Sequence, residues 1–262
     1  MKYIACYRNI MLFSNVFLKK TGYSKHRKIG DYFVMKEKKI LVVTTNTSFL
    51  DDLNNNQKIQ TGVWLEEFAV PFYAFKDAGF DITVASPSGG VSPIDENSLE
   101  CKNPTEWDYT KEYLDSTKKL SDVDYKNFDA IFIPGGHGPM IDLANDELLG
   151  EIVSYFYNSH KIVSAVCHGP AGLLKARTET GEPIVKGMQL TSFTNEEEKI
   201  VKKDRLVPFL LESKLGQLGA IFNAAPPWEE NVIVDENLIT GQNPASAKKL
   251  AHAVIKKLNL HK

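Results

Sequence analysis

The chain is predicted to be an α/β protein in which a parallel sheet is covered by helices on both faces. Two observations carry this reading. From residue 39 onward, short β-branched runs alternate with amphipathic stretches of helical length, the pattern of successive βαβ units. A glycine-rich turn and a cysteine then close two of those runs, at the carboxyl ends of strands where sheets of this kind bind ligands.

The elements follow in order. Residues 40–44 form the first strand. Residues 62–78 carry Leu65, Phe68, Ala69, Phe72 and Phe75 at helical spacing, so they form a helix with one apolar face. Residues 81–86 and 129–134 are strands, and Gly135-Gly136-His137-Gly138 ends the second of them. A helix over 146–158 leads into a buried strand at 162–166. Gly169-Pro170-Ala171-Gly172-Leu173-Leu174 then opens another helix. Residues 232–234 and 238–240 are the late strands, and 245–258 is the closing helix. Two stretches break the alternation. Residues 88–128 are polar and rich in Asp, Lys and Tyr, and residues 177–230 hold Thr191-Ser192-Phe193-Thr194 and Pro226-Pro227-Trp228. Both read as insertions over one edge of the site, because long insertions in compact domains usually serve as lids or binding loops.

Composition narrows the function. A 43% hydrophobic content is that of a soluble globular protein, and no apolar run approaches the roughly 18 residues of a membrane span. The net charge of −2 is unevenly placed. Residues 1–30 hold basic groups and no acid, so the remainder is acidic, which argues against nucleic acid as a partner. Residues 1–34 read as an extension outside the domain, from an upstream start or as an acid-poor leader, and residues 35–262 as one domain. Three widely spaced cysteines give neither a disulfide framework nor zinc spacing, which fits a reducing, cytoplasmic setting.

Cys167 falls at a strand-to-helix turn, the place where a nucleophile elbow holds a side chain in a strained bend. A helix N-terminus there favours the thiolate, so Cys167 is expected to have an accessible thiol of low pKa and to be the one reactive cysteine. Cys6 and Cys101 receive no role. The backbone N–H groups of Gly136 and His168 are candidates to hold a developing oxyanion. His137 is expected to be an exposed loop histidine. Periodicity cannot choose between Glu66 and Glu67, and a Glu pair on a helix is ordinarily a solvated face. Asn195-Glu196-Glu197-Glu198 reads as a helix start with acids in its first turn. His137, His168 and the nearby acids do not show metal-ligand spacing, and neither metal nor cofactor is expected.

Together these features resemble the ThiJ/PfpI superfamily, with its class I glutamine amidotransferase-like, flavodoxin-like fold. Within it the chain is similar to the branch of heat-shock chaperones and glutathione-independent glyoxalases, also described as glyoxalase III or D-lactate dehydratase. The resemblance covers about residues 39–258. It rests on Thr61-Gly62-Val63 with Glu67 and Pro71-Phe72, on Ala165-Val166-Cys167-His168-Gly169-Pro170, on Phe193-Thr194, and on Thr240-Gly241 followed by Asn243-Pro244-Ala245-Ser246-Ala247. The resemblance implies that Cys167 is the nucleophile with His168 beside it. It selects Glu67 over Glu66 as the glutamate at the cysteine, with a raised pKa. It implies a third acid after the Phe-Thr motif, Glu198, although three consecutive glutamates leave the register open by a residue.

What the resemblance implies for function is turnover of a small 2-oxoaldehyde such as methylglyoxal to a 2-hydroxy acid, with no cofactor. Glu67 or His168 would be the base that moves the proton from C1 to C2. Removal of early sugar or methylglyoxal adducts from proteins, a deglycase activity, uses the same nucleophile. A holdase that captures unfolded or glycated protein is the non-enzymatic alternative, supported by Trp107, Tyr109, Tyr113 and Trp228 in the insertions. An amidotransferase of this fold needs a His-x-Glu near the C-terminus, and neither His252 nor His261 has one. A cysteine peptidase is the lesser remaining enzyme class. A homodimer is the assembly that the resemblance implies.

Overall fold

The computed structural model describes residues 37–52, 55–100 and 107–260. The extension at 1–34, Cys6 and Cys101 lie outside them. In chain order the strands and helices are β1 (Lys39–Val43), β2 (Phe49–Asp52), β3 (Gln57–Gln60), α1 (Leu65–Asp77), β4 (Asp81–Ser86), α2 (Asp108–Asp115), β5 (Lys118–Lys119), β6 (Ala130–Ile133), α3 (Glu147–Asn158), β7 (Ile162–Val166), β8 (Gln189–Leu190), α4 (Asn195–Ile200), α5 (Leu211–Gln217), β9 (Ile221–Phe222), β10 (Val232–Asp235), β11 (Leu238–Gly241) and α6 (Ala247–Leu260).

Seven strands form the central sheet in the order β10-β11-β7-β6-β1-β4-β5, parallel throughout except for β10. The exception has a simple cause. Only Glu236 and Asn237 separate β10 from β11, and so short a link can only reverse the chain, since a parallel return needs a crossover of about a dozen residues. The sheet interior is apolar on both faces, as a sheet covered on both sides requires. Ile40, Val42, Phe132 and Val166 pack under α1 and α6, against Phe68, Phe72, Phe75, Leu250 and Val254. Leu41, Val43, Ile131, Ile133 and Val163 pack on the other side, against Leu149, Ile152, Val153 and Phe156 of α3. The five apolar residues expected on one face of α1 are all buried. Asp146 caps α3, its side chain accepting the Leu149 N–H at 2.9 Å.

Both interrupting segments are more than lids. β5 is an edge strand of the main sheet, and Trp107, Leu114 and Leu120 are buried in the core. Within 177–230, Ile184, Val185, Leu190, Leu211 and Leu215 join the core on the α3 side, and β8 pairs with β9 in a small sheet of its own. Their polar composition hid these contacts, because a few apolar side chains spread over a long polar stretch give no period.

β1 sits between β4 and β6, so the chain leaves it first toward one edge and later toward the other. The carboxyl ends of β6 and β7 therefore open beside the point where the strand order reverses, the usual location of a binding crevice in such sheets. The glycine turn and Cys167 both stand there.

Candidate active site

Cys167 follows β7 directly and has φ +59°, a left-handed backbone that costs on the order of 1–3 kcal/mol for a non-glycine residue and concentrates at functional sites. Its backbone is pinned on both sides: its N–H donates to Gly241 of β11 at 2.9 Å, and its carbonyl accepts the Phe193 N–H at 2.9 Å. Behind it the chain passes so close to β6 that a Cβ at Gly169 would lie 2.1 Å from the Ile133 carbonyl oxygen. The predicted helix after the elbow is a single 3₁₀ segment, Gly169–Leu173. With Pro170 and two glycines in five residues, this segment has little helix propensity. Its dipole support for the thiolate is correspondingly small.

Cys167 is also buried, with 4% of its surface exposed, and burial pushes its thiol well above the ordinary range; the neighbouring Glu67 pushes in the same direction. The expectation of an accessible, low-pKa thiolate is therefore overturned by the environment of the free protein. One contact works the other way: the Gly136 N–H reaches the sulfur and favours its charged form. Gly136 has φ +88°, and a Cβ there would strike the Gly62 carbonyl oxygen at 2.1 Å, so only glycine lets this N–H approach. The His168 backbone nitrogen, the other expected oxyanion donor, lies beside Gly135, the residue before Gly136.

Glu67 is wholly buried on α1, while Glu66 is half-buried. Its Oε2 accepts the Gly135 N–H at 3.0 Å, and the carboxyl faces the Cys167 thiol. Oε1 has no well-formed hydrogen bond. Burial raises the Glu67 pKa well above the ordinary value, against the opposing pull of its bonds to Cys167 and Gly135. Burial thus favours the protonated form of the carboxyl and of the thiol beside it.

His168 turns the other way. Its Nδ1 stands 3.4 Å from the Cys167 sulfur and its Nε2 2.7 Å from Glu198 Oε2. The second carboxylate oxygen, Oε1, is 2.8 Å from Nε2 of His137. Burial alone would raise the Glu198 pKa. The electrostatic pull of the adjacent His168 and the hydrogen bonds of both imidazoles outweigh it and hold the group well below the usual carboxylate range. Above this cluster the rings stack in sequence: His137 to His168 with centroids 4.0 Å apart, His168 to Phe193 at 4.6 Å, and Phe193 to Trp228 at 5.7 Å.

The three consecutive glutamates separate cleanly. Thr194, not Asn195, caps α4, and Glu197 closes a capping box with it. Glu197 Oε1 also accepts the Trp228 N–H at 2.9 Å and the Asn243 side-chain amide at 2.8 Å. Glu196 is exposed, and Glu198 alone reaches the histidines.

A model of the DJ-1/PfpI family matches residues 58–257. The chain belongs to the DJ-1/PfpI family. The Saccharomyces cerevisiae protein named glutathione-independent glyoxalase HSP31 is 31% identical over 234 residues, covering 83% of this chain and 96% of its own length. The Francisella tularensis Rapid Encystment Protein 24 kDa superposes with a TM-score of 0.78 at 36% identity, covering 84% of this chain and 99% of that one. Glyoxalase III from Candida albicans superposes with a TM-score of 0.71 at 31% identity, over 84% and 96% respectively. The sheet of this DJ-1/PfpI chain is thus the class I glutamine amidotransferase-like fold.

His137 is the residue that sequence reasoning misplaced. It is 6% exposed, and burial together with the adjacent His168 lowers its pKa to about 3. Its position in a glycine turn suggested solvent, yet in this family member the turn ends a buried strand at the crevice. The expectation about ligand spacing fails as well: one ligating atom from each of His137, His168 and Glu198 lies within 4.8 Å of the others. Lys203 Nζ stands 3.4 Å from His137 Nδ1, so an ammonium already occupies one side of the group, and both carboxylate oxygens are taken by imidazole nitrogens. Among the described residues no helix is long and apolar enough to cross a membrane.

Proposed function

We propose that this protein is a glutathione-independent glyoxalase that converts methylglyoxal-type 2-oxoaldehydes to D-lactate-type 2-hydroxy acids. The observation that carries the reading is the buried Cys167 thiol set between the Glu67 carboxyl, whose protonated form burial favours, and an imidazole oriented by Glu198. The names of the yeast and Candida relatives point to the same chemistry.

Cys167 Sγ adds to the aldehyde carbon while His168 Nδ1 takes the thiol proton and passes it to the aldehyde oxygen, giving a hemithioacetal. The N–H groups of Gly136 and His168 hold the oxygen as charge develops, a donor of this kind contributing about 3 kcal/mol. His168, neutral again, removes the C1 proton while Glu67 donates to the C2 oxygen, giving an enediol. His168 returns its proton to C2 as the C1 hydroxyl proton passes to the Glu67 carboxylate, leaving a thioester of the hydroxy acid. Water then releases the acid and the thiol. No electron leaves the substrate: C1 is oxidised as C2 is reduced. The raised thiol pKa fits this order, since the proton moves as the carbon–sulfur bond forms.

Purified protein is expected to release D-lactate from methylglyoxal at the same rate with and without glutathione and with a chelator present. A requirement for glutathione would refute the proposal. A holdase activity has a smaller basis, because Trp107 is a core residue and Tyr113 is half-buried against the core, leaving the partly exposed Tyr109 and Trp228 of those four aromatics at the surface. A reducing cytoplasm suits a free, buried Cys167. Deleting residues 1–34 is expected to leave soluble expression, sedimentation and turnover unchanged, because every site residue and every strand of the described sheet lies at or beyond Lys39. Aggregation of the truncated protein would overturn both the extension reading and its independence from the fold.

A further inference from the structure

Glu198 is shared. A carboxylate that only oriented His168 would need one oxygen for it, yet the second oxygen is bound just as closely by a second buried imidazole, His137. The tautomer of that imidazole is set from behind. Lys203 Nζ, 3.4 Å away, can only donate, so His137 Nδ1 accepts and Nε2 carries the proton that faces Glu198. Lys203 is itself held toward Asp95, at 3.8 Å, on the loop before the 3₁₀ turn Glu96–Leu99. A continuous chain of polar contacts thus runs from Asp95 through Lys203, His137, Glu198 and His168 to Cys167.

We propose that His137 is a positioning residue for the Cys167–His168 pair: with His168 on one oxygen of Glu198, it holds the other and so divides the carboxylate's charge between two N–H donors. Two consequences follow. Glu198 cannot rotate, so His168 Nδ1 stays aimed at the sulfur. Only part of the carboxylate's charge acts on His168, so the pair resists forming imidazolium and thiolate in the resting protein and transfers its proton when substrate arrives. The other groups bearing on the pair are Glu67 of α1 and Glu197 of α4, both of which disfavour the thiolate, and Lys203 with Asp95, which lie behind His137. The inference rests on Cys167 as the nucleophile.

The test compares His137→Phe, which keeps a ring against His168 and Phe193 but loses the donor, with His137→Gln, whose amide nitrogen can replace Nε2. Cys167 alkylation by iodoacetamide is followed against pH, alongside kcat and KM for methylglyoxal and the thermal midpoint. In His137→Phe the alkylation midpoint is expected to move to lower pH, because Glu198 then favours the imidazolium undiluted, and kcat to fall about tenfold with KM little changed. His137→Gln is expected to restore the midpoint and most of kcat. An unmoved midpoint in His137→Phe, or a glutamine variant no better than the phenylalanine one at equal thermal stability, would overturn the role. The alkylation profile needs no turnover, so it reads the inference even if methylglyoxal is not a substrate.

Discussion

Replacement of Cys167 by serine is expected to lower D-lactate formation by more than about 1000-fold while leaving the fold intact. The hydroxyl fits the same backbone, and its pinning bonds to Gly241 and Phe193 use main-chain atoms that the substitution does not touch. What is lost is the sulfur. A serine hydroxyl holds its proton far more tightly than a thiol, and the group placed to take it is an imidazole 3.4 Å away, not a strong base. Cys167→Ala separates the function classes further. Suppression of aggregation that survives in the alanine protein while turnover disappears would identify a holdase activity independent of the site. Turnover retained in Cys167→Ser would refute the nucleophile assignment.

Glu67→Gln is expected to cost about 100-fold or more in kcat and, at the same time, to stabilise the protein at alkaline pH. The amide keeps an oxygen for the Gly135 N–H and cannot pass a proton to substrate. The effect on stability follows from the direction of the shift. Because burial raises the folded pKa above the ordinary 4.5, the folded protein keeps a proton that the unfolded chain has released. Stability contributed by this position is therefore greatest below 4.5 and declines as pH rises toward the raised value. Glutamine has no such dependence. The two proteins should melt alike near pH 4, and the variant should melt at higher temperature at pH 8. A variant that is less stable than the parent at pH 8 would mean that the folded-state pKa of Glu67 is not raised. If Glu66→Gln proves the damaging change, the assignment on α1 is wrong by one residue.

The sheet, the elbow and the helix carrying Glu67 were legible because each leaves a local trace: β-branched runs, a Cys between strand and glycines, and a 3.6-residue apolar spacing. The environment of Cys167 was not legible. Its burial is produced by Phe193, by Glu67 and by the turn at Gly135, segments far apart in sequence, and desolvation by distant groups leaves no mark near residue 167. His137 was lost for a similar reason, since its partner Glu198 is 61 residues away. The register of the glutamates, in contrast, could have been read. Thr194-x-x-Glu197 is the spacing of a capping box, which assigns Glu197 to the cap and leaves Glu198 for the neighbouring face.

That capping box has a consequence for how the family can vary. Each residue advances an α-helix by about 100°, so neighbouring glutamates point in quite different directions and only chain position decides which one meets the histidines. Because Thr194 and Glu197 close the first turn on each other, the count is anchored at the start of α4 and cannot slip to compensate for an error. Insertion or deletion of one residue between Phe193 and Glu198 would exchange the structural and the chemical acid, even though every side chain type was still present. Functional lineages of this chain should therefore tolerate length changes before Thr191 or beyond Lys203, and treat the interval between as a fixed reading frame.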